Sequence, residues 1–228
     1  MEKERSSDII EKHLCKAVMA GDYPIGSPLP SERELAKEFG VGRPTIREAL
    51  QRLGRDGWLT IRQGQPAVVN DYWHDGNLTT LAHIIQNHDF VSDEFIVHLL
   101  EIRKSLTPTY VHDAVEWNRP KVVALLADLD QLNDDSNSYA NYDWNLQKGL
   151  AVLSPNPVYL LILNSFNSFY IKMAQRYFST GEHRRVSLEY YQDLLAASLN
   201  GTPEEAEKIA KEAMEKSLML WKNRSEKN

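Results

Sequence analysis

Pro30-Ser31-Glu32-Arg33-Glu34-Leu35-Ala36, then Gly40-Val41-Gly42-Arg43-Pro44-Thr45-Ile46-Arg47-Glu48-Ala49-Leu50, closed by Leu53 to Gly64, holds the densest local structural signals in the chain. Pro30 ends the preceding segment, Ser31 is a capping residue and Glu34 follows three places later, the spacing of a capping box. Leu35, Ala36 and Phe39 make a short apolar stripe, and Gly40 supplies a helix end with positive φ. A second helix begins near Arg43, with Pro44 at an early position where its missing N–H costs nothing. Ile46, Ala49, Leu50 and Leu53 recur at the helical spacing of one buried face. Arg43 and Arg47 border that face one turn apart, and Thr45 lies near the helix start. The period then changes: Trp58 to Arg62 reads as a strand, Gln63 to Pro66 as a turn, and Ala67 to Val69 as a second strand. This order is a helix-turn-helix with a wing. Its second helix is placed to offer arginine to guanine O6 and N7, and the tip, Gln63 and Gly64, to enter the adjacent minor groove. Arg43 and Arg47 alone would read as a solvated face; the complete order is what carries DNA binding.

A chain of 228 residues with 42% hydrophobic content suits two modest domains. No apolar run is long enough to span a membrane. The N-terminus, Met-Glu-Lys-Glu-Arg-Ser-Ser-Asp, is too charged for a signal peptide, and the single cysteine, Cys15, fits a reducing cytoplasm. Cys15 falls within an apolar helical pattern and reads as a buried structural thiol. The net charge of −6 opposes phosphate binding until it is counted by segment. Residues 1–70 hold 11 basic against 10 acidic side chains, the remainder 15 against 22, and Arg43 to Gln65 five arginines against two acids. Such a modest positive surface implies that one copy binds weakly and that a dimer reads the DNA.

From Leu78 onward the pattern is helical almost throughout, with candidate helices at 78–88, 92–116, 119–134, 138–153, 156–179, 183–200 and 203–224. Pro120, Pro155, Pro157, Gly181 and the Asn200-Gly201-Thr202-Pro203 turn punctuate them. The fold expected is therefore mainly α: an N-terminal winged helix-turn-helix domain (1–70), a linker (71–77) and a C-terminal all-helical antiparallel bundle of about seven helices (78–228). Aromatic residues at helical spacing in the bundle read mostly as core. Arg103, next to the buried face marked by Leu99 and Ile102, is open to three readings: solvent-facing, paired with an acid, or a ligand clamp. The chain lacks a dinucleotide-binding glycine motif, a P-loop, H-E-x-x-H, a nucleophile elbow and C-x-x-C, so no catalytic residues are expected.

Leu29 to Ala36 and Arg43 to Leu50 resemble the signature of the GntR family of bacterial winged-helix regulators. Arg52 to Ile61, Asn70-Asp71-Tyr72-Trp73, Asn156 to Asn164 and Arg176-Tyr177-Phe178 resemble its fatty-acid-responsive FadR subfamily. The resemblance implies a cytoplasmic homodimer on a palindromic operator with GT-containing half-sites. Arg33 and Arg47 would contact backbone or bases, Arg43 would read guanine, and Thr45, Gln63 and Gly64 would complete the contact. It also implies a small-molecule effector, long-chain acyl-CoA, that relieves operator binding from a pocket at Leu100, Arg103, Tyr170, Tyr177, Ser217 and Trp221. The alternative is a small organic acid, with or without a metal, because many relatives hold a metal through an Asp and three His. Here Asp143 matches that Asp, but Gln147 stands where the first His would be, and Tyr191 and Glu215 or Lys216 near the later ones. Amide and phenol are poor replacements for imidazole, so no metal and no cofactor are expected. Two departures bear on the acyl-CoA pocket: the subfamily is apolar where Gln147 sits, and Ala213 and Met214 replace a Tyr and a Gly near the CoA end.

Overall fold

The computed structural model describes residues 5–86 and 91–225, and packing divides the chain into two compact units between Val91 and Ser92. The first contains α1 (Ser6–Ala20), α2 (Glu32–Phe39), α3 (Arg43–Arg55), β1 (Leu59–Thr60), β2 (Val68–Val69), α4 (Tyr72–Asp75) and α5 (Leu78–Gln86). The capping box forms: Ser31 Oγ accepts from the Glu34 N–H at 3.4 Å and Glu34 Oε2 from the Ser31 N–H at 2.8 Å. Gly40 ends α2 at φ 65°. Ile46, Ala49, Leu50 and Leu53 are all buried, closing α3 onto a core shared with Ile10, Leu14, Leu35 and Trp58. Cys15 lies in that core, where burial pushes its thiol up.

The wing is shorter than expected. Leu59 pairs with Val69 and Thr60 with Val68, after which the ladder stops. Arg62 falls opposite Pro66 in this register, and a proline has no N–H to donate. Pro28 adds an isolated bridge to Val68.

Residues 71–86 differ from the expected layout in where they pack. α5 lies in the first unit against α1, with Ile84 and Ile85 buried. Thr80 Oγ1 donates to the Asp56 carbonyl, and Asn77 Nδ2 reaches the Arg55 carbonyl at 3.4 Å. The start of α5 thereby satisfies carbonyls at the end of α3 that a helix leaves unpaired. Gly57, at φ 85°, sits so close to Asp75 that a Cβ there would lie 2.2 Å from the Asp75 carbonyl oxygen.

The second unit is a helical bundle of α6 (Asp93–Leu125), a 3₁₀ turn (Leu129–Gln131), α7 (Ser136–Leu153), α8 (Val158–Asn164), α9 (Asn167–Tyr177), α10 (Gly181–Asn200) and α11 (Pro203–Ser225). The expected helices 92–116 and 119–134 are arms of α6 that meet at a kink, where Asn118 leaves helical geometry (φ −141°, ψ 33°) two residues before Pro120. The second arm ends at Leu125, well short of 134. The expected helix 156–179 is two helices, because Ser165 and Phe166 bond back three residues, to Ile162 and Leu163, instead of four. With α6 counted as two arms, the described residues of the bundle form seven α-helical pieces. α6 and α11 run antiparallel, as Lys222 beside Glu101 and His112 beside Glu204 require. No described helix is long and apolar enough to cross a membrane.

Candidate functional site

In the winged-helix unit, α2 and α3 are linked through one carboxylate. Arg47 Nε and Nη2 donate to Glu32 Oε1 and Oε2 at 3.0 and 2.8 Å, and Arg43 Nη2 lies 3.8 Å from Oε2. The Arg47 hydrogen bond holds the Glu32 carboxyl below the usual range. The side chains of Arg43 and Arg47 are still 62% and 57% exposed. Arg33, Gln63 and Gly64 are exposed, Thr45 is half-buried, and Gly64 takes φ 74° at the hairpin tip.

The local positive count within Arg43 to Gln65 overstates the field there. Arg52 is tied to Asp8 at 2.6 Å and to Glu48 at 2.6 Å, and Arg55 to Asp56 at 2.9 Å. Asp8 and Glu32, distant in sequence, supply negative charge that a window count omits.

A cluster of Glu11, Asp56 and His83 brings three potential metal-ligating atoms within 4.8 Å of one another. Its chemistry does not suit a metal. Trp58 Nε1 donates to His83 Nδ1 at 3.3 Å, which leaves the ring proton on Nε2, 3.3 Å from Glu11 Oε1. Glu11 also faces Arg52 at 3.6 Å, and Asp56 faces Arg55. This is a satisfied core cluster.

The bundle holds an apolar cavity of about 120 Å³. The turns of α6 from Ile96 to Tyr110 form one wall, α8, the turn after it and α9 contribute Ile162, Phe166 and Met173, and all six expected effector residues line it: Leu100, Arg103, Tyr170, Tyr177, Ser217 and Trp221. The sequence had separated those six across 122 positions; folding assembles them around one space. A second, water-sized chamber adjoins Arg103 and Tyr177 and is lined by Ser187, Tyr190, Ala213 and Met214. Met214 is buried there.

One polar wall interrupts the cavity. Arg103 Nη2 donates to Asp143 Oδ2 at 2.8 Å and to Oδ1 at 3.2 Å, which decides among the three readings of Arg103 in favour of a paired residue that also lines the cavity. Its partner lies 40 residues away; neighbouring Glu101 pairs instead with Lys222. Tyr170 and Tyr191 donate to the same carboxylate, Tyr191 at 3.0 Å. Gln147 Nε2 adds a bond at 3.3 Å, Tyr110 donates to Gln147 Oε1 at 2.6 Å, and Thr107 shares a bond with Tyr110 at 2.9 Å. Gln147 thus finds its partners inside the protein. Burial pushes Tyr110 up to about 12, and Tyr170 and Tyr191 well above their ordinary value, so these phenols stay protonated and donate. Burial also works against the Arg103 charge, but the Asp143 carboxylate beside it outweighs this and holds the guanidinium well above its ordinary range.

Asp143, Gln147 and Tyr191, the positions compared with a metal site, are instead joined by hydrogen bonds centred on Asp143. Both Asp143 oxygens are already engaged by donors, one of them the Arg103 guanidinium. Arg103 Nε is buried without a partner. Sequence reasoning missed Tyr110 and Thr107, and also Arg176, whose guanidinium lies 5.2 Å over the Trp221 ring while pairing with Asp93 at 2.9 Å. The i, i+3 spacing of Thr107 and Tyr110 on α6 was the available signal.

Residues 7–69 match the family described as bacterial regulatory proteins, gntR family, and residues 70–227 match the FadR C-terminal domain. The chain is similar to the fatty acid metabolism regulator protein of Shewanella halifaxensis, at 39% identity over 81% of this chain and 77% of that one. It is similar also to the protein of the same description from Cronobacter sakazakii, at 34% identity over 96% and 91%. Among solved structures it resembles Lar, described as controlling expression of the Listeria monocytogenes agr system. That match has a TM-score of 0.63 at 18% identity, covers 98% of this chain and 99% of the other, and speaks to fold alone.

Proposed function

We propose, because this chain belongs to the gntR family of bacterial regulatory proteins and carries a FadR C-terminal domain, that it regulates fatty-acid metabolism by binding a palindromic operator as a homodimer and releasing it when a long-chain acyl-CoA enters the bundle. One observation carries the effector half of this reading: an apolar cavity with a single charged wall, where Arg103 retains a buried, unpartnered Nε. An acyl chain suits the apolar part, and its thioester carbonyl suits that N–H. Tyr177 and Ser217 line the same region. Around Trp221, Arg176 and Lys222 offer cations for the nucleotide phosphates, although each already faces an acid.

Size sets a condition. The cavity, at about 120 Å³, is smaller than the ~150 Å³ that holds one benzene. A long chain enters only as side chains such as Phe166, in the turn between α8 and α9, and Met173 of α9 give way. Each methylene buried returns about 0.8 kcal/mol, so affinity climbs with chain length until repacking offsets the gain. Calorimetric titration with C8, C12 and C16 acyl-CoA, and with the free acids, tests this. The expected result is tighter binding for the longer thioesters and a clear loss in Arg103→Met. Binding of a dicarboxylate that a chelator abolishes, with no binding of any acyl compound, would replace the acyl-CoA reading by the metal-assisted one.

A further inference from the structure

We propose that Glu32 is a positioning residue that makes DNA reading selective: it orients Arg47 with one fork of the guanidinium left free for a base, and sets a negative charge against indiscriminate phosphate contact. The inference rests on reading α3 as the helix that meets DNA, and on nothing in the bundle.

The geometry is specific about which donors are used. A guanidinium carries five N–H groups in a fixed plane. Glu32 takes Nε and one hydrogen of Nη2, at 3.0 and 2.8 Å, which is the side of the fork nearest the stem. Nη1 and the second Nη2 hydrogen form the outer edge, matched to the paired O6 and N7 acceptors of guanine. Arg47 remains 57% exposed, so that edge is accessible.

Arginine loses much rotamer freedom when it docks. An arginine already held has less to lose. Glu32 can act as the anchor because it sits in the first turn of α2, whose start is fixed by the reciprocal Ser31–Glu34 bonds. The same carboxylate draws Arg43 to 3.8 Å, so both arginines of the helix are biased by one group.

Charge supplies the second half. Non-specific affinity for DNA comes from cations on phosphates. A carboxylate shared by Arg43 and Arg47 weakens their pull on any phosphate and repels the backbone directly. A guanine edge carries no net charge and suffers that repulsion less. Glu32 therefore lowers affinity for DNA in general more than affinity for a site whose bases fit.

The test compares the full chain with its Glu32→Gln, Glu32→Asp and Arg47→Ala variants by fluorescence anisotropy. One probe is a random-sequence duplex; the other is a duplex recovered from a random pool by selection on the unmodified chain. Glu32→Gln removes the charge, and it is expected to bind the random duplex several-fold tighter, with a salt slope steeper by about one. Its discrimination between duplexes should fall about tenfold, the low end of what one bidentate base contact supplies. Glu32→Asp keeps the charge but is too short to hold both nitrogens. It should lose affinity for the selected duplex while leaving the random one unchanged, and it decides the matter if the glutamine variant folds poorly. Wild-type ratios in both Glu32 variants, or an equal loss on both duplexes, overturn the proposal. Arg47→Ala binding both duplexes as the unmodified chain does would instead refute α3 as the reading helix, a separate failure.

Discussion

Asp143→Asn is the perturbation that bears hardest on the bundle. Asp143 accepts from Arg103 at 2.8 and 3.2 Å, from Tyr170, from Tyr191 at 3.0 Å and from Gln147 at 3.3 Å. Every one of these partners is a donor. An asparagine must turn its own NH₂ toward some of them whichever way it flips, and it leaves the guanidinium without a counter-charge. Breaking a buried ion pair by removing one member costs about 3–5 kcal/mol. The Arg103 side chain is 22% exposed, which places the expected loss near the bottom of that range, about 3 kcal/mol. For a unit of this size the melting temperature should fall by roughly 10 °C. Urea unfolding followed by tryptophan fluorescence reads the loss directly, because Trp144 and Trp221 both lie in the bundle core. A pair of apolar substitutions, Arg103→Met with Asp143→Leu, should recover only part of it, since it removes the unpaired charge but leaves Tyr170, Tyr191 and Gln147 without their acceptor. An Asp143→Asn protein within about 0.5 kcal/mol of the unmodified chain, near the limit for a neutral surface change, would refute the account of the polar wall.

Other expectations concern single groups. Gln147→Leu removes the acceptor of Tyr110 at 2.6 Å, leaving Thr107 at 2.9 Å as its partner, and should cost about 1 kcal/mol for the lost bond, read in the same urea assay. Arg43→Ala should lose about 1–3 kcal/mol of operator binding and relax selectivity at one base pair, measured across a panel of single-base operator variants; unchanged binding to operator and random DNA removes Arg43 from the interface. His83 is held below its ordinary value by burial, so the unfolded chain binds the proton more readily. The stability it confers is complete above the unfolded value, near 6.5, and drains away as pH falls below it. Urea midpoints of the winged-helix unit at pH 7.5 and 5.5 should show that loss, and His83→Phe should flatten it.

The winged helix was legible because its signals are local. Ser31 with Glu34, Gly40, Pro44 and the Ile46–Leu53 spacing each act within one or two turns, and each forms as read. The wing was overestimated because Pro66 removes a donor opposite Arg62, a cross-strand effect invisible until the register is known. The bundle yielded its helices but not their breaks: neither Pro nor Gly marks Ser165–Phe166, where the chain tightens for packing. Arg103 shows the same limit at the site. Its chain neighbours left three readings open and singled out no particular acid, whereas the acid that meets it comes from α7. Long-range pairing decides such groups, and periodicity does not encode it. The resemblance assembled six cavity residues, yet the Thr107–Tyr110–Gln147 relay emerged only from the geometry.

Whether an acyl-CoA in the bundle governs DNA release is read by one titration. The protein bound to its selected operator duplex is titrated with palmitoyl-CoA, palmitate and succinate, each with and without chelator, while anisotropy follows the duplex. Release by palmitoyl-CoA is expected at the lowest concentration, indifferent to chelator and weakened in Arg103→Met. Release by succinate that chelator abolishes, or a complex that palmitoyl-CoA leaves intact, would contradict it.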